Sequence, residues 1–192
     1  MKIIVGFKAA TISKEIENCI KSQGYVDVAI VEPDDFFKMP YSSRYSFIVG
    51  VTLDQALRQQ IIDRLDKDDL PRFTAVHPKC EIDPTSVIKP GSYIGPFSMI
   101  AYQSIVGRDC LVGPYTLVGH RSTINDNCFI GPMAMIAGSV NMGSRCYTGI
   151  KTTIIDKITI CNDVNFGAGS LVTKNITEPG KYVGSPARKV LT

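Results

Sequence analysis

One histidine stands inside the repetitive stretch Val112–Pro132, VGPYTLVGHRSTINDNCFIGP, and its side chain is the one best suited to chemistry near neutral pH. An imidazole titrates close to working pH, so His120 can take a proton from a nucleophile and return it to a leaving group. Arg121 follows directly. Its cation suits a substrate phosphate or carboxylate, and it weakens a neighbouring base. Three thiols, Cys110, Cys128 and Cys146, recur every 18 residues between Ser92 and Val164. Such a series reads either as a metal or redox ladder or as a column of small buried side chains; buried thiols behave as small apolar groups, which favours the second. The other histidine, His77, precedes Pro78 and suits a structural turn. One histidine within the repeats is too few for a three-histidine zinc site, so no metal is expected.

These residues are carried by a period of six. From Ile82 to Val172, every sixth residue begins a block, and all of these starts are apolar except Thr148. The fifth place of a block is usually small (Ser92, Ser98, Cys110, Ser122, Ala134), and the second is often glycine (Gly95, Gly113, Gly119, Gly131). Neither helix nor ordinary strand gives six, whereas a parallel β-helix does. Three blocks make one triangular coil of 18 residues, with the bulky aliphatic pointing inward and glycine permitting unusual angles near the turn. The blocks supply about five coils, each rising about 4.8 Å. Residues 18 apart then share a column, so His120 lies directly below Gly138, and the glycine is expected to leave a gap over the imidazole.

Residues 1–76 have a different texture. KIIVG (2–6), DVAIV (27–31), SFIVG (46–50) and RFTAV (72–76) predict short buried strands. Ile12, Ile16, Cys19 and Ile20 fall at helical spacing within a helix over 13–23 that Gly24 stops. Thr52 with Gln55 predicts a capping box opening a second helix, whose Leu53, Leu57, Ile61 and Leu65 share a face. Residues 33–45 read as loop. The fold class is therefore a small Rossmann-like α/β domain over 1–76, followed by a parallel β-helix with a C-terminal tail over 77–192.

The totals exclude several classes. A net charge of +3 without a Lys/Arg run gives no nucleic-acid footprint. The apolar stretch at the N-terminus is broken by Lys8 and too short for a signal sequence, and no run of about 18 apolar residues predicts a membrane span. Six cysteines without a CxxC suit a reduced, cytoplasmic protein.

The α/β unit, the Val76-His77-Pro78 linker, the hexapeptide helix and the tail Val183-Gly184-Ser185-Pro186-Ala187-Arg188 together resemble one family along nearly the full chain. It comprises bacterial hexapeptide-repeat sugar acetyltransferases acting on nucleotide-linked amino sugars, with related sialic acid O-acetyltransferases. The resemblance implies a left-handed coil, a homotrimer with active sites between subunits, acetyl-CoA lying between neighbouring prisms, and a nucleotide sugar held by the small domain. It implies His120 as general base and Gly138 as the glycine whose N–H faces the thioester. Gly149, Ile150 and Ala168 fall on coenzyme positions, and Glu32 and Gly50 fall where the family holds the nucleotide sugar.

The chain departs from that pattern in three places. Arg121 stands where the family has Glu or Asp. Phe129 stands where a second coenzyme-contacting histidine is expected, and it can only pack. The glycine-rich first loop is reduced to Gly6-Phe7-Lys8-Ala9-Ala10, in which Gly6 remains and Lys8 could supply charge. Transfer to a hydroxyl instead of an amine, or a trimeric scaffold that binds without turnover, are the alternative readings.

Overall fold

The computed structural model describes residues 1–190; the last two residues of the expected second domain, Leu191 and Thr192, lie outside them. The chain opens with β1 (Lys2–Val5), α1 (Thr11–Ser22), β2 (Val28–Val31), α2 (Pro33–Lys38), β3 (Ser46–Val49) and α3 (Gln55–Lys67). The three strands form a parallel sheet in the order β2–β1–β3, in which Lys2 pairs with Val28 on one side and Ser46 on the other. Ile3, Val5, Phe47 and Val49 bury one face with Ile61 and Leu65 of α3, while Ile4 and Ile48 bury the other with Ile16 and Ile20 of α1.

Four expectations for this unit need correction. The segment read as loop contains α2: Pro33 presets the first helical turn, Asp34 and Asp35 favour its positive end, and Phe36 is buried against Tyr41 and Phe47. Helix α1 begins at Thr11, not Ser13. The cap of α3 is Asp54, whose carboxylate accepts from the Leu57 N–H at 2.8 Å. Thr52 therefore lies outside the helix, and Leu53, expected on its buried face, is 84% exposed. The fourth strand does not join the small sheet, which Arg72 touches only through a bridge to Phe47; Ala75–Val76 instead pairs with Tyr93–Ile94.

From Ala75 the chain winds a left-handed parallel β-helix. Its parallel strands stack on three faces in columns of seven, six and five, which makes six coils, not five, because the ladder starts before Ile82 and runs on past Val172. The first face carries Tyr93–Ile94, Leu111–Val112, Phe129–Ile130 and Tyr147–Thr148; the second carries Met99–Ile100, Leu117–Val118 and Met135–Ile136; the third carries Ile105–Val106, Thr123–Ile124 and Asn141–Met142. Register shifts by 18 residues at each step, as in Leu117↔Met135. Ile94, Ile100, Val106, Val112 and Val118 are wholly buried within the prism, each such side chain contributing about 1.5–3 kcal/mol.

The corners differ from the expected design. Left-handed backbone falls on the fourth place of each block, on residues such as Tyr115 (φ 58°), Arg121 (φ 57°) and Asn127 (φ 56°), not on the second-place glycines. Each costs about 1–2 kcal/mol, and each turns its N–H onto the preceding coil: Arg121 donates to the Tyr102 carbonyl at 2.8 Å and Ser139 to that of His120 at 2.8 Å. The second-place glycines instead permit close stacking, since a Cβ on Gly113 would stand 2.8 Å from the Pro132 nitrogen of the next coil. The fifth-place side chains also bond. Ser122 Oγ donates to the Ala137 carbonyl at 2.8 Å, and the Cys110 and Cys128 thiols donate to Asn125 and Gly143 carbonyls at 3.1 and 3.2 Å. The cysteine column is thus part of the coil stacking, and burial pushes the Cys128 thiol well up, away from thiolate chemistry.

Candidate functional site

His120 follows the second-face strand Leu117–Val118 and Gly119, immediately before the corner at Arg121. Its backbone is fixed by the ladder, with the Ser139 N–H on its carbonyl, while its side chain is exposed. The imidazole does not stand beneath a gap over Gly138. It fills that space itself: a Cβ added to Gly138 would collide with Cε1 and Nδ1 and come within 2.8 Å of Nε2. The glycine is the seat of the ring. The neighbouring ladder bonds run from Ala137 N–H to the Ile154 carbonyl and from Ser139 N–H to that of His120. Among the described residues the Gly138 N–H, between them, makes no ladder bond.

A Gly138→Ala variant is expected to push the imidazole off this seat while costing less than about 1 kcal/mol of stability, since the position is at the surface. The His120 Cε1 proton resonance reports the displacement; an unchanged shift would show that the ring does not rest there.

Arg121 turns the other way along the prism. Its guanidinium lies 5.8 Å from the Tyr102 ring centre, and its Nε is 3.5 Å from Gln103 Oε1, both on the preceding coil. The imidazole leans toward the following coil. Left-handed backbone at the corner separates the two side chains, so adjacency in sequence does not become contact. Among the described residues no carboxylate bonds to His120.

Phe129, Gly149, Ile150 and Ala168 line one groove of about 610 Å³, on the first face and its corner with the second. Phe129 stacks on Tyr147 with centroids 4.8 Å apart; Pro132 and Phe166 extend the apolar lining, and Lys181 adds a cation. Apolar walls with a cation among them suit a long acyl-carrier thioester that bears phosphates. His120 and Gly138 do not line this groove. They stand at the corner between the second and third faces, with the width of the second face between them and it.

Gly6, Lys8, Glu32 and Gly50 come together at the carboxyl ends of β1, β2 and β3, where open parallel sheets bind ligands. Gly6 N–H donates to Val31 and Gly50 N–H to Val5. The Glu32 carboxylate accepts from the Lys8 backbone N–H at 2.8 Å and so ties down the shortened loop, with the Lys8 side chain exposed. Ser13, a residue with no motif to flag it, is buried between the two glycines with its hydroxyl unpartnered. His77 holds the linker turn by accepting from the Lys79 N–H at Nδ1, 3.1 Å away. No three His, Cys, Asp or Glu side chains cluster as metal ligands among the described residues, and none of their helices is long and apolar enough to cross a membrane.

Residues 103–138 match the family model described as bacterial transferase hexapeptide (six repeats). The whole chain is similar to a point mutant of perosamine N-acetyltransferase from Caulobacter crescentus solved in complex with CoA and GDP-perosamine, at 22% identity and a TM-score of 0.85, over 97% of this chain and 95% of that one. It is similar to the acetyltransferase domain of PglB from Neisseria gonorrhoeae in complex with acetyl coenzyme A, at 17% identity and a TM-score of 0.88, over 98% of both chains. It is also similar to WeeI from Acinetobacter baumannii, at 20% identity and a TM-score of 0.83, over 98% of both. These likenesses establish the fold along nearly the full chain, with the small α/β unit and the β-helix joined in the same order.

Proposed function

We propose that this chain is an acetyl-CoA-dependent acetyltransferase that acetylates the amino group of a nucleotide-linked amino sugar, serving bacterial surface glycan synthesis in the cytoplasm. The observation that carries the reading is the exposed His120 imidazole seated on Gly138, whose own N–H makes no ladder bond among the described residues. Four of the five expected coenzyme positions, all but Gly138, share one groove, which supports it. So do the CoA and GDP-perosamine held by the Caulobacter enzyme of the same fold.

The groove and His120 lie at different corners of one prism, so a working site needs two chains. A strip of exposed apolar residues crosses the second face and both its corners: Phe97, Tyr115 and Met133, then Met99 and Met135, then Tyr102. A rotation that sets the His120 corner of one chain against the groove corner of the next is a heterologous contact, and a three-fold axis closes it. The homotrimer therefore completes each site between subunits and covers the strip.

In that site the His120 imidazole accepts a proton from the sugar amine as the amine attacks the acetyl carbon. The Gly138 N–H donates to the oxygen that becomes negative. His120 then returns the proton to the departing sulfur, so the residues end as they began. The small domain holds the nucleotide near Gly6, Glu32 and Gly50, Arg121 lies on the same corner for a substrate anion, and no covalent link to the protein is needed.

Thiol release from acetyl-CoA is the direct test, using UDP-, dTDP- and GDP-linked amino sugars and, in parallel, sialic acid. Turnover with an amino sugar is expected. Turnover only with a hydroxyl acceptor would move the assignment to O-acetylation, and coenzyme binding without turnover on any acceptor would leave a scaffold.

A further inference from the structure

The column that carries His120 and Gly138 continues one coil further, to Asp156. Ile136 pairs in register with Ile154, so Asp156 stacks on Gly138 as Gly138 stacks on His120. The ladder fixes this from both sides: Ala137 N–H donates to the Ile154 carbonyl at 3.0 Å, and Lys157 N–H donates to the Gly138 carbonyl at 2.9 Å. Asp156 is exposed, and among the described residues its carboxylate takes neither a hydrogen bond nor an ion pair. The imidazole lies in the space a side chain at Gly138 would fill. Its Cε1 and Nδ1 are nearest the point where a Gly138 Cβ would stand, and Nε2 is farther off at 2.8 Å. The Asp156 Cβ lies one coil above that point, about 4.8 Å away. One carboxylate arm and one hydrogen bond of about 2.8 Å cover that distance, so rotation of the Asp156 side chain closes it without moving the backbone.

A neutral imidazole without a fixed partner is divided between two tautomers, and only one of them offers a given nitrogen as a base. A carboxylate on Nδ1–H selects the tautomer with Nε2 bare and attracts the imidazolium that forms when Nε2 is protonated. The other charged side chains of this corner do not supply that partner. Arg121 turns down toward Tyr102, and Lys157 is a second cation. We propose that Asp156 is a positioning residue for the general base. Its carboxylate accepts from His120 Nδ1–H across Gly138 while Nε2 takes the amine proton and returns it to the departing sulfur. The proposal rests on the acetyl-transfer reading above. It also gives the glycine a second use, because a side chain at 138 would stand between acid and base.

The ring nitrogen resonances of His120 in the full chain test the contact without any substrate. A free neutral imidazole in water favours the Nε2–H tautomer. The wild type is expected to favour Nδ1–H instead, and Asp156→Ala to revert to Nε2–H. In the thiol-release assay Asp156→Ala is expected to lower kcat about fivefold, the upper end of what an exposed pair contributes, with the KM for acetyl-CoA and the melting temperature unmoved. Asp156→Glu, whose longer arm spans the same gap, should recover most of the loss. If Asp156→Ala leaves both the tautomer and kcat unchanged while His120→Ala loses turnover, the positioning role falls and the acetyl-transfer reading stands. A fall in kcat with an unmoved tautomer would place Asp156 on the substrate and overturn the positioning. A wild type without turnover on any acceptor removes both.

Discussion

Alanine at position 120 is expected to lower kcat for acetyl transfer by about a hundredfold to ten-thousandfold, the usual contribution of a positioned general base. Several features make this a clean experiment. The imidazole is exposed, takes no hydrogen bond from a side chain among the described residues, and fills no core space. The backbone at this position is fixed by the Ser139 N–H, which an alanine carbonyl accepts equally well. The melting temperature and the oligomeric state should therefore be unchanged. Coenzyme affinity should also hold, because the walls of the groove are left intact. The loss should appear in kcat at saturating acetyl-CoA, the signature of an interaction made at the transition state. A variant retaining turnover within about threefold of the wild type lies far outside the general-base range and would require another proton acceptor.

The second large effect is one of stability, and it concerns how the two parts of the chain are bolted together. Arg58 of α3 is buried, and every nitrogen of its guanidinium donates a hydrogen bond. Nη1 donates to the Val49 and Val51 carbonyls, both at 2.8 Å, Nε donates to Asn127 Oδ1 at 2.7 Å, and Nη2 donates to the Asp109 carbonyl. One side chain thus binds the loop after β3 to two successive coils of the prism. Burial disfavours its charged form and the nearby Asp109 carboxylate opposes that shift; Asp109 is itself paired with Arg72 at 3.2 Å. Arg58→Ala is expected to cost about 3–5 kcal/mol, because it strands several buried acceptors and leaves Asp109 with one cation fewer. Arg58→Lys should recover only part of this, since an ammonium cannot fork across the same partners. Urea unfolding at fixed protein concentration measures both. A loss under about 1 kcal/mol for the alanine variant would mean that the bolt is replaceable by water.

What the sequence revealed follows from where each signal resides. The prism was legible because its rule is local and repeated: an aliphatic at every sixth place is demanded by the interior, and Ile94, Val112 and Val118 obey it. The groove positions Phe129, Gly149, Ile150 and Ala168 were legible through resemblance, and the geometry brings them together. The contribution of Arg121 was not legible. Its direction depends on a left-handed corner that sequence assigned to glycine, and that corner turns the guanidinium down toward Tyr102 while the imidazole rises toward Gly138. Gln55 and Arg58 were missed for a related reason. Their partners, Asn165, Asn127 and Asp109, lie far along the chain, so no window of sequence contains both members of a pair. The one usable signal was the choice between Thr52 and Asp54 as cap; Asp54 moves the start of α3 by two residues and takes Leu53 out of its buried face.

The stacking of His120 on Gly138 has a consequence for how this site can change over evolutionary time. The two residues belong to different coils, and they meet because the chain between them makes one full circuit. Their alignment is a matter of counting. Substitutions at outward places leave the count intact, so the surface can be rewritten freely around a pair whose alignment stays fixed. Loss or gain of a single residue within the circuit would turn every later side chain out of phase, exchanging inside for outside from that point upward. The prism tolerates variation in spelling and almost none in length.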